Sequence, residues 1–223
     1  MSAETKVRER DRAKPPKQTT GLPFLDQILG GGLPTKSLVC FLMDSASGAE
    51  ILLYQFASTH KTYYFSNVRR PEDITRIMKD LNMDSRNIKF IGGDEAKYMF
   101  ANSIKKVQSE VEPCNVIIDS FSFFLNASSS PENIRKLLDL IRDVTTSRDG
   151  VAFLLVYKNT HPKEVENVVL NASDAIFDIE CHTSGERQET ILSIPKIRGT
   201  TPIGRIKVTL GEKIKIDTAR EIA

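Results

Sequence analysis

From Ser37 onward, short unbroken apolar runs alternate with longer stretches in which apolar side chains recur every three or four positions. The run at 37–43 has Pro34 before it and a small-residue turn after it, and its continuous apolarity predicts a strand buried on both faces. The pattern predicts further strands at 62–66, 88–91, 116–119 and 151–157, and helices at 49–60, 71–81, 95–110 and 131–147. Strands alternating with helices imply βαβ crossovers, so the fold class is α/β: a mostly parallel sheet with helices on both faces. The last third differs. Four strand-like runs at 175–181, 189–196, 205–210 and 213–217, separated by turn residues such as Gly211-Glu212, predict an antiparallel C-terminal extension at one edge.

Residues 1–19 break the pattern. Lys6, Arg8, Arg10, Arg12, Lys14 and Lys17 alternate with Glu4, Glu9 and Asp11, and Pro15-Pro16 closes the run. It reads as a flexible basic arm ahead of a single domain at 20–223, with a tether for a phosphate-rich or acidic partner as the alternative. Over the whole chain of 223 residues, 31 basic against 29 acidic side chains leave a formal charge of +2, so no global field draws it to nucleic acid or an anionic membrane. No apolar stretch approaches the roughly 20 residues that span a bilayer, and the N-terminal residues contain no apolar h-region, which gives a cytoplasmic expectation.

Candidate chemistry narrows quickly. Cys40, Cys114 and Cys181 form no C-x-x-C pair, and the first two sit in or beside strand-like runs as small buried hydrophobes. His60, His161 and His182 lack metal-ligand spacing, so no metal is expected. Ser122, Ser128, Ser129 and Ser130 lie in no G-x-S-x-G elbow and read as loop, which leaves no catalytic residue. Phe121, Phe123 and Phe124 read as packing at a strand end or first helical turn, since no flanking cation supports base stacking.

The informative segment is the turn after the first strand, Asp44-Ser45-Ala46-Ser47-Gly48-Ala49-Glu50, because ligands of open parallel sheets bind at the carboxyl ends of strands. A Walker A cradle needs G-x-x-x-x-G-K-S/T, and only Gly48 is in register; Met43, Ala49 and Glu50 replace the first Gly, the Lys and the magnesium-binding hydroxyl. Glu50 also sets a carboxylate against an anion: like charges about 4 Å apart repel by roughly 4 kcal/mol at an effective dielectric of about 20. Ser47-x-x-Glu50 spells a capping box instead, predicting that Ser47 and Glu50 satisfy their own helix terminus.

The stretch Thr20-Gly21-Leu22-Pro23, Leu25-Asp26 and Leu29-Gly30-Gly31-Gly32-Leu33-Pro34 resembles the start of KaiC-like ATPase domains of the RecA superfamily, with pattern T-G-h-x-x-L-D-x-h-h-G-G-G-h-P, where h is apolar. The resemblance implies a RecA-like, P-loop NTPase-type sheet and an ATP site with magnesium. In that family Tyr-h-Ser-x-Glu-Glu follows the second strand and supplies the base for water attack. Here the run is Tyr64-Phe65-Ser66-Asn67-Val68-Arg69, so Val68 and Arg69 stand where the two glutamates belong. Two elements are retained: Val116-Ile117-Ile118-Asp119 resembles the Walker B strand, and Lys196-Ile197-Arg198 the basic pair that reaches a neighbouring subunit's nucleotide. For Lys196 and Arg198 two readings stay open, a solvent-facing pair or an inter-subunit contact to a carboxylate such as Glu50.

The degenerate nucleotide site thus comprises Ser47, Gly48, Ala49, Glu50, Asp119, Lys196 and Arg198. The expectation is a KaiC-like pseudo-ATPase without a cofactor, working through protein partners as a homo- or hetero-oligomer. The alternatives are weak Mg-ATP binding with slow turnover, or a nucleic-acid accessory role through the arm, disfavoured because the globular part has no basic stripe.

Overall fold

The computed structural model describes residues 16–128, 130–184, 187–211 and 214–216. In chain order the elements are β1 (Lys17–Gln18), α1 (Pro23–Ile28), β2 (Leu33–Pro34), β3 (Ser37–Met43), α2 (Glu50–Thr59), β4 (Thr62–Ser66), α3 (Pro71–Asp80) and β5 (Ile88–Gly92). Then follow α4 (Gly93–Lys97), α5 (Phe100–Val107), β6 (Asn115–Asp119), α6 (Ser122–Ala127), α7 (Pro131–Ser147), β7 (Val151–Tyr157), α8 (Lys163–Ala172), β8 (Ala175–Ser184), β9 (Arg187–Ile197), β10 (Ile203–Thr209) and β11 (Lys215–Ile216).

Nine strands form one sheet in the order β11-β10-β9-β8-β3-β7-β6-β4-β5. The pairs among β3, β4, β5, β6, β7 and β8 are parallel, while β9, β10 and β11 add on antiparallel beyond β8. This is the α/β arrangement that the pattern predicts. Because β3 is central, alternate side chains feed two cores: Val39, Phe41 and Met43 pack with α1 and α2 on one face, Leu38 and Cys40 with α5, α7 and α8 on the other. Burial raises the thiol pKa of Cys40 and pushes that of Cys114 up to about 11, as fits buried hydrophobes rather than reactive thiols.

The structure departs from the pattern at several places. The helix expected at 95–110 is two helices broken at Tyr98-Met99, because Ala96 and Phe100 are buried on either side of the break while Tyr98 and Met99 are exposed. Helices α1, α6 and α8 were not foreseen. Phe121 and Phe124 pack as expected, in an aromatic cluster with Phe100. The strand expected at 213–217 is described only as Lys215–Ile216; residues 212, 213 and 217, and Ser129, lie outside the described residues.

The flexible arm was expected to run to residue 19, but residues 17–19 belong to the domain. β1 pairs antiparallel with β2, Lys17 Nζ donates to Gly30 O at 3.0 Å, Gln18 Nε2 donates to Asn115 Oδ1 at 3.0 Å, and Thr19 Oγ1 donates to Asp26. Residues 1–15 of that arm lie outside the described residues. Asp26 also accepts from Thr20 N at 2.8 Å and Thr20 Oγ1 at 2.7 Å, so the Thr-Gly…Leu-Asp pattern is a local clasp that closes the chain onto α1.

Candidate functional site

The carboxyl ends of β3, β4, β6 and β7 converge on a small polar cluster. Ser47 N and Oγ both donate to Asp44 O, at 3.0 and 2.7 Å, and Ser47 Oγ accepts from Ala49 N at 3.3 Å. Asp44 Oδ2 accepts from Cys181 N at 3.2 Å, which ties the turn to β8. This corrects the capping box. Ser47 closes a turn onto Asp44 and the next amide, α2 starts at Glu50 with Ala49 as a cap that has no side-chain acceptor, and Glu50 turns away from Ser47. A better partner draws it: Arg69 NH2 donates to Glu50 Oε1 at 2.7 Å.

Arg69 is held for that role. Ser66 Oγ donates to Arg69 O at 2.8 Å and accepts from Arg69 N at 3.1 Å, so the loop after β4 is pinned before the guanidinium reaches α2. Next to it, Asn67 clamps the end of β6: its N donates to Asp119 O at 2.8 Å, its Nδ2 to Ser120 O at 2.9 Å, and its Oδ1 accepts from Ser120 N at 3.0 Å. Sequence reasoning passed over Asn67; its position directly after a strand, where a short amide can bind neighbouring backbone, was the available signal.

Asp119 is 2% exposed and accepts from Tyr64 OH at 2.9 Å. Desolvation raises its pKa to about 6; the Tyr64 hydrogen bond and Arg69 oppose this and Glu50 adds to it. Around it Tyr64 and Tyr54 are also raised, mainly by burial and then by the Asp119 charge, and Tyr157 is pushed up to about 12 for the same reasons. The Tyr54 hydroxyl is buried without a hydrogen-bond partner, its ring centroid 6.1 Å from that of Tyr64. Lys158, just past β7, turns to β8, where it pairs with Asp178 and lies 3.9 Å from Glu180.

Lys196 and Arg198 are not brought to this cluster. Lys196 pairs in register with Ile176 near the start of β8, whereas Asp119 ends β6 and Glu50 follows the end of β3, both at the carboxyl ends of parallel strands. Lys196 Nζ donates to Leu170 O and Asn171 O at 2.9 and 3.0 Å, which covers the C-terminal carbonyls of α8. Arg198 NH2 lies 2.7 Å from Asp174 Oδ1, and the same buried carboxylate receives Arg142 NH1 at 3.0 Å and Leu38 N at 2.9 Å. Thus Ser47, Gly48, Ala49, Glu50 and Asp119 share one end of the sheet, and Lys196 and Arg198 the other.

The serines contain one surprise. Ser122 heads α6, its Oγ is 3.2 Å from His161 Nε2, and His161 Nδ1 is 3.2 Å from Glu166 Oε2 on α8. The order is that of a nucleophile, base and orienting acid, but Ser122 is 3% exposed and its Oγ accepts from Tyr157 N at 2.7 Å. With Ser122 and the His161 ring buried and Glu166 half-buried, the three residues bring α6, the end of β7 and α8 together. Among the described residues no group of His, Cys, Asp and Glu could hold a metal ion, and no helix is long and apolar enough to cross a membrane.

Known structures share this architecture. The flagellar accessory protein FlaH from Methanocaldococcus jannaschii superposes with a TM-score of 0.71 over 88% of this chain and 96% of that one, at 17% identity. The KaiC-like protein PH0186 from Pyrococcus horikoshii OT3 gives 0.72 over 91% of this chain and 99% of that one, at 14% identity. The chain therefore has the same fold as FlaH and the KaiC-like protein. No curated protein matches the sequence. With residues 17–223 matched, the chain belongs to DUF7125, a family of unknown function.

Proposed function

We propose that this chain is a catalytically inactive KaiC-like pseudo-ATPase that works through protein contacts, self-associating or serving as a regulatory subunit. One observation carries the reading: the Glu50–Arg69 pair at 2.7 Å. These residues occupy the positions where the family resemblance places the magnesium-binding hydroxyl and a glutamate of the catalytic pair. Loss of each function separately would leave a stray anion and a stray cation; instead each side chain satisfies the other.

Mg-ATP does not fit the residues present. Ala49 is fully buried and offers no cation, Ser47 Oγ is engaged by Asp44 O and Ala49 N, and Lys158 is committed to Asp178. Glu50 is held by Arg69 and so is not free for magnesium, nor Arg69 for phosphate, and Arg69 cannot accept a proton from water at neutral pH.

Thermal unfolding with and without millimolar Mg-ATP tests this. A ligand present at 100 times its Kd stabilises by about 2.7 kcal/mol, which raises Tm by roughly 5–10 °C in a domain of this size. The expected result is a shift below about 1 °C on that same scale. A shift of several degrees, or phosphate release that disappears in Asp119→Ala, overturns the proposal.

A further inference from the structure

α7 and α8 are both crossovers between parallel strands and cover the same core, so they run side by side in one direction. Between them lies a groove of about 410 Å³. Its walls are Arg135 and Asp139 on α7 and Glu164, Asn167 and Asn171 on α8, positions three or four apart that share one helix face. Past Asn171 and Ala172 the groove continues into a second hollow of about 290 Å³ beside Asp174, Lys196 and Arg198. The floor, Leu138 and Val168, is 2% and 9% exposed, so an apolar anchor would find little left to cover.

The walls are polar and unengaged. Among the described residues none of the side chains of Arg135, Asp139, Glu164, Asn167 and Asn171 takes part in a hydrogen bond or ion pair. Asn167 and Asn171 are one helical turn apart, about 6 Å along the axis. Each amide carries a donor and an acceptor, the complement of one peptide group. In an extended chain the groups that face one side recur every second residue, about 6.6 Å, so the two amides match successive peptide groups of an extended segment. A helix would not serve, because its own N–H and C=O groups are already paired.

The two ends of the groove differ in charge. At the start of α8, Asp139 and Glu164 outweigh Arg135. At its end Arg142 and Arg198 share the single carboxylate of Asp174, and Lys196 faces only the carbonyls of Leu170 and Asn171, so two cations remain in excess. Asp143 and Lys163, exposed nearby, line neither hollow.

We infer that this groove binds an extended peptide segment of another protein. Asn167 and Asn171 hold its main chain, a Lys or Arg side chain lies against Asp139 and Glu164, and an Asp or Glu side chain points toward Arg198 and Lys196. Main-chain hydrogen bonds supply affinity and the two charged ends fix the direction of the segment. The seven residues from Glu164 to Asn171 cover about 10 Å, which sets the two charged side chains of the segment about three to five residues apart. This deepens the reading of the chain as a protein-binding module and rests on that part of it, but not on the absence of ATP binding.

Selection of a phage-displayed library of random seven-residue peptides on the full chain tests it. Enrichment of sequences with a Lys or Arg and an Asp or Glu about three to five positions apart is expected. Asn167→Ala/Asn171→Ala is expected to weaken the enriched peptides at least tenfold while keeping the wild-type circular dichroism. Asp139→Lys/Glu164→Lys is expected to select an acid in place of the basic residue. No enrichment, peptides that bind the double-alanine variant as tightly as the wild type, or enriched sequences with apolar residues at helical spacing overturn the inference. A failed selection with no thermal shift in Mg-ATP removes the groove and leaves the pseudo-ATPase reading; peptide binding together with Mg-ATP binding does the reverse.

Discussion

Glu50 Oε1 accepts from Arg69 NH2 across the gap between the first turn of α2 and the loop after β4, and both charges face Asp119. The pair is half in solvent, with side-chain exposures of 18% and 44%, so its direct contribution to stability is about 0.2–1 kcal/mol. Its larger effect is on the buried carboxyl, which Glu50 holds up and Arg69 holds down. Glu50→Gln is expected to lower the Asp119 titration midpoint from about 6, and Arg69→Met to raise it. Carboxyl carbon NMR reads both; midpoints that move together, or not at all, contradict the geometry.

Asp119 itself makes a stability prediction. Its pKa rises from 3.8 to about 6 on folding, so the native state binds the extra proton and ionising it at neutral pH is unfavourable. At 1.36 kcal/mol per unit the upper bound is about 3 kcal/mol. Asp119→Asn keeps an acceptor for Tyr64 and is expected to stabilise the fold by about 1–3 kcal/mol at pH 7–8. The gain shrinks as pH falls through 6 and vanishes below about 4, where the wild-type carboxyl is protonated folded or unfolded. Urea unfolding at several pH values measures this; a variant less stable than wild type at pH 7 shows instead that the charge is compensated.

The sheet was legible because β3 and β7 are apolar on both faces, β4 and β6 nearly so, and the intervening helices repeat at 3.6 residues. What escaped notice had weaker signals. α8 has Pro162 at its cap, Glu164 and Glu166 in its first turn, and Val165, Val168 and Val169 on one face, a pattern that was present in a segment to which no element was assigned. α1 and α6 are six residues each, too short for periodicity to declare. In the site, the replacement of the Walker residues was visible position by position, but the partner of Glu50 was not. Ser47 is three residues away and Arg69 nineteen; a local capping rule favours the first, whereas the strand order brings the second within 2.7 Å with a full charge.

The Ser122–His161–Glu166 chain is predicted to shape the acid limb of stability. Burial lowers the His161 pKa below its usual 6.5, with Glu166 opposing. A histidine depressed on folding stays neutral in the native state while the unfolded chain takes up a proton, so stability is lost as pH falls below about 6.5, opposite in sign to Asp119. In the Asp119→Asn background this limb stands uncovered, and His161→Phe is expected to flatten it. Ser122→Ala removes the acceptor of Tyr157 N–H and is expected to cost about 1–3 kcal/mol at every pH. If serine-directed fluorophosphonate labels Ser122 in the native protein, the residue is more accessible than its 3% exposure allows and a catalytic role returns.

Gly32 and Gly48 both sit in segments that carry or test the resemblance to KaiC-like domains, and their surroundings predict opposite tolerance. Gly32 has φ +108°, and a Cβ there would lie 2.1 Å from Gln18 O, so the glycine run is what lets β1 close against β2. Gly48 has φ +64° with nothing within 4 Å of a Cβ. Gly48→Ala therefore meets only the left-handed backbone penalty of about 1–2 kcal/mol. Gly32→Ala meets strain together with a backbone clash that a side-chain rotation cannot relieve, and is expected to cost clearly more, above about 3 kcal/mol. Denaturant midpoints at unchanged m give the comparison. Equal costs would mean that the backbone around Gly32 yields enough to admit a Cβ, so that Gln18 does not hold β1 against β2 as closely as its 2.1 Å approach requires.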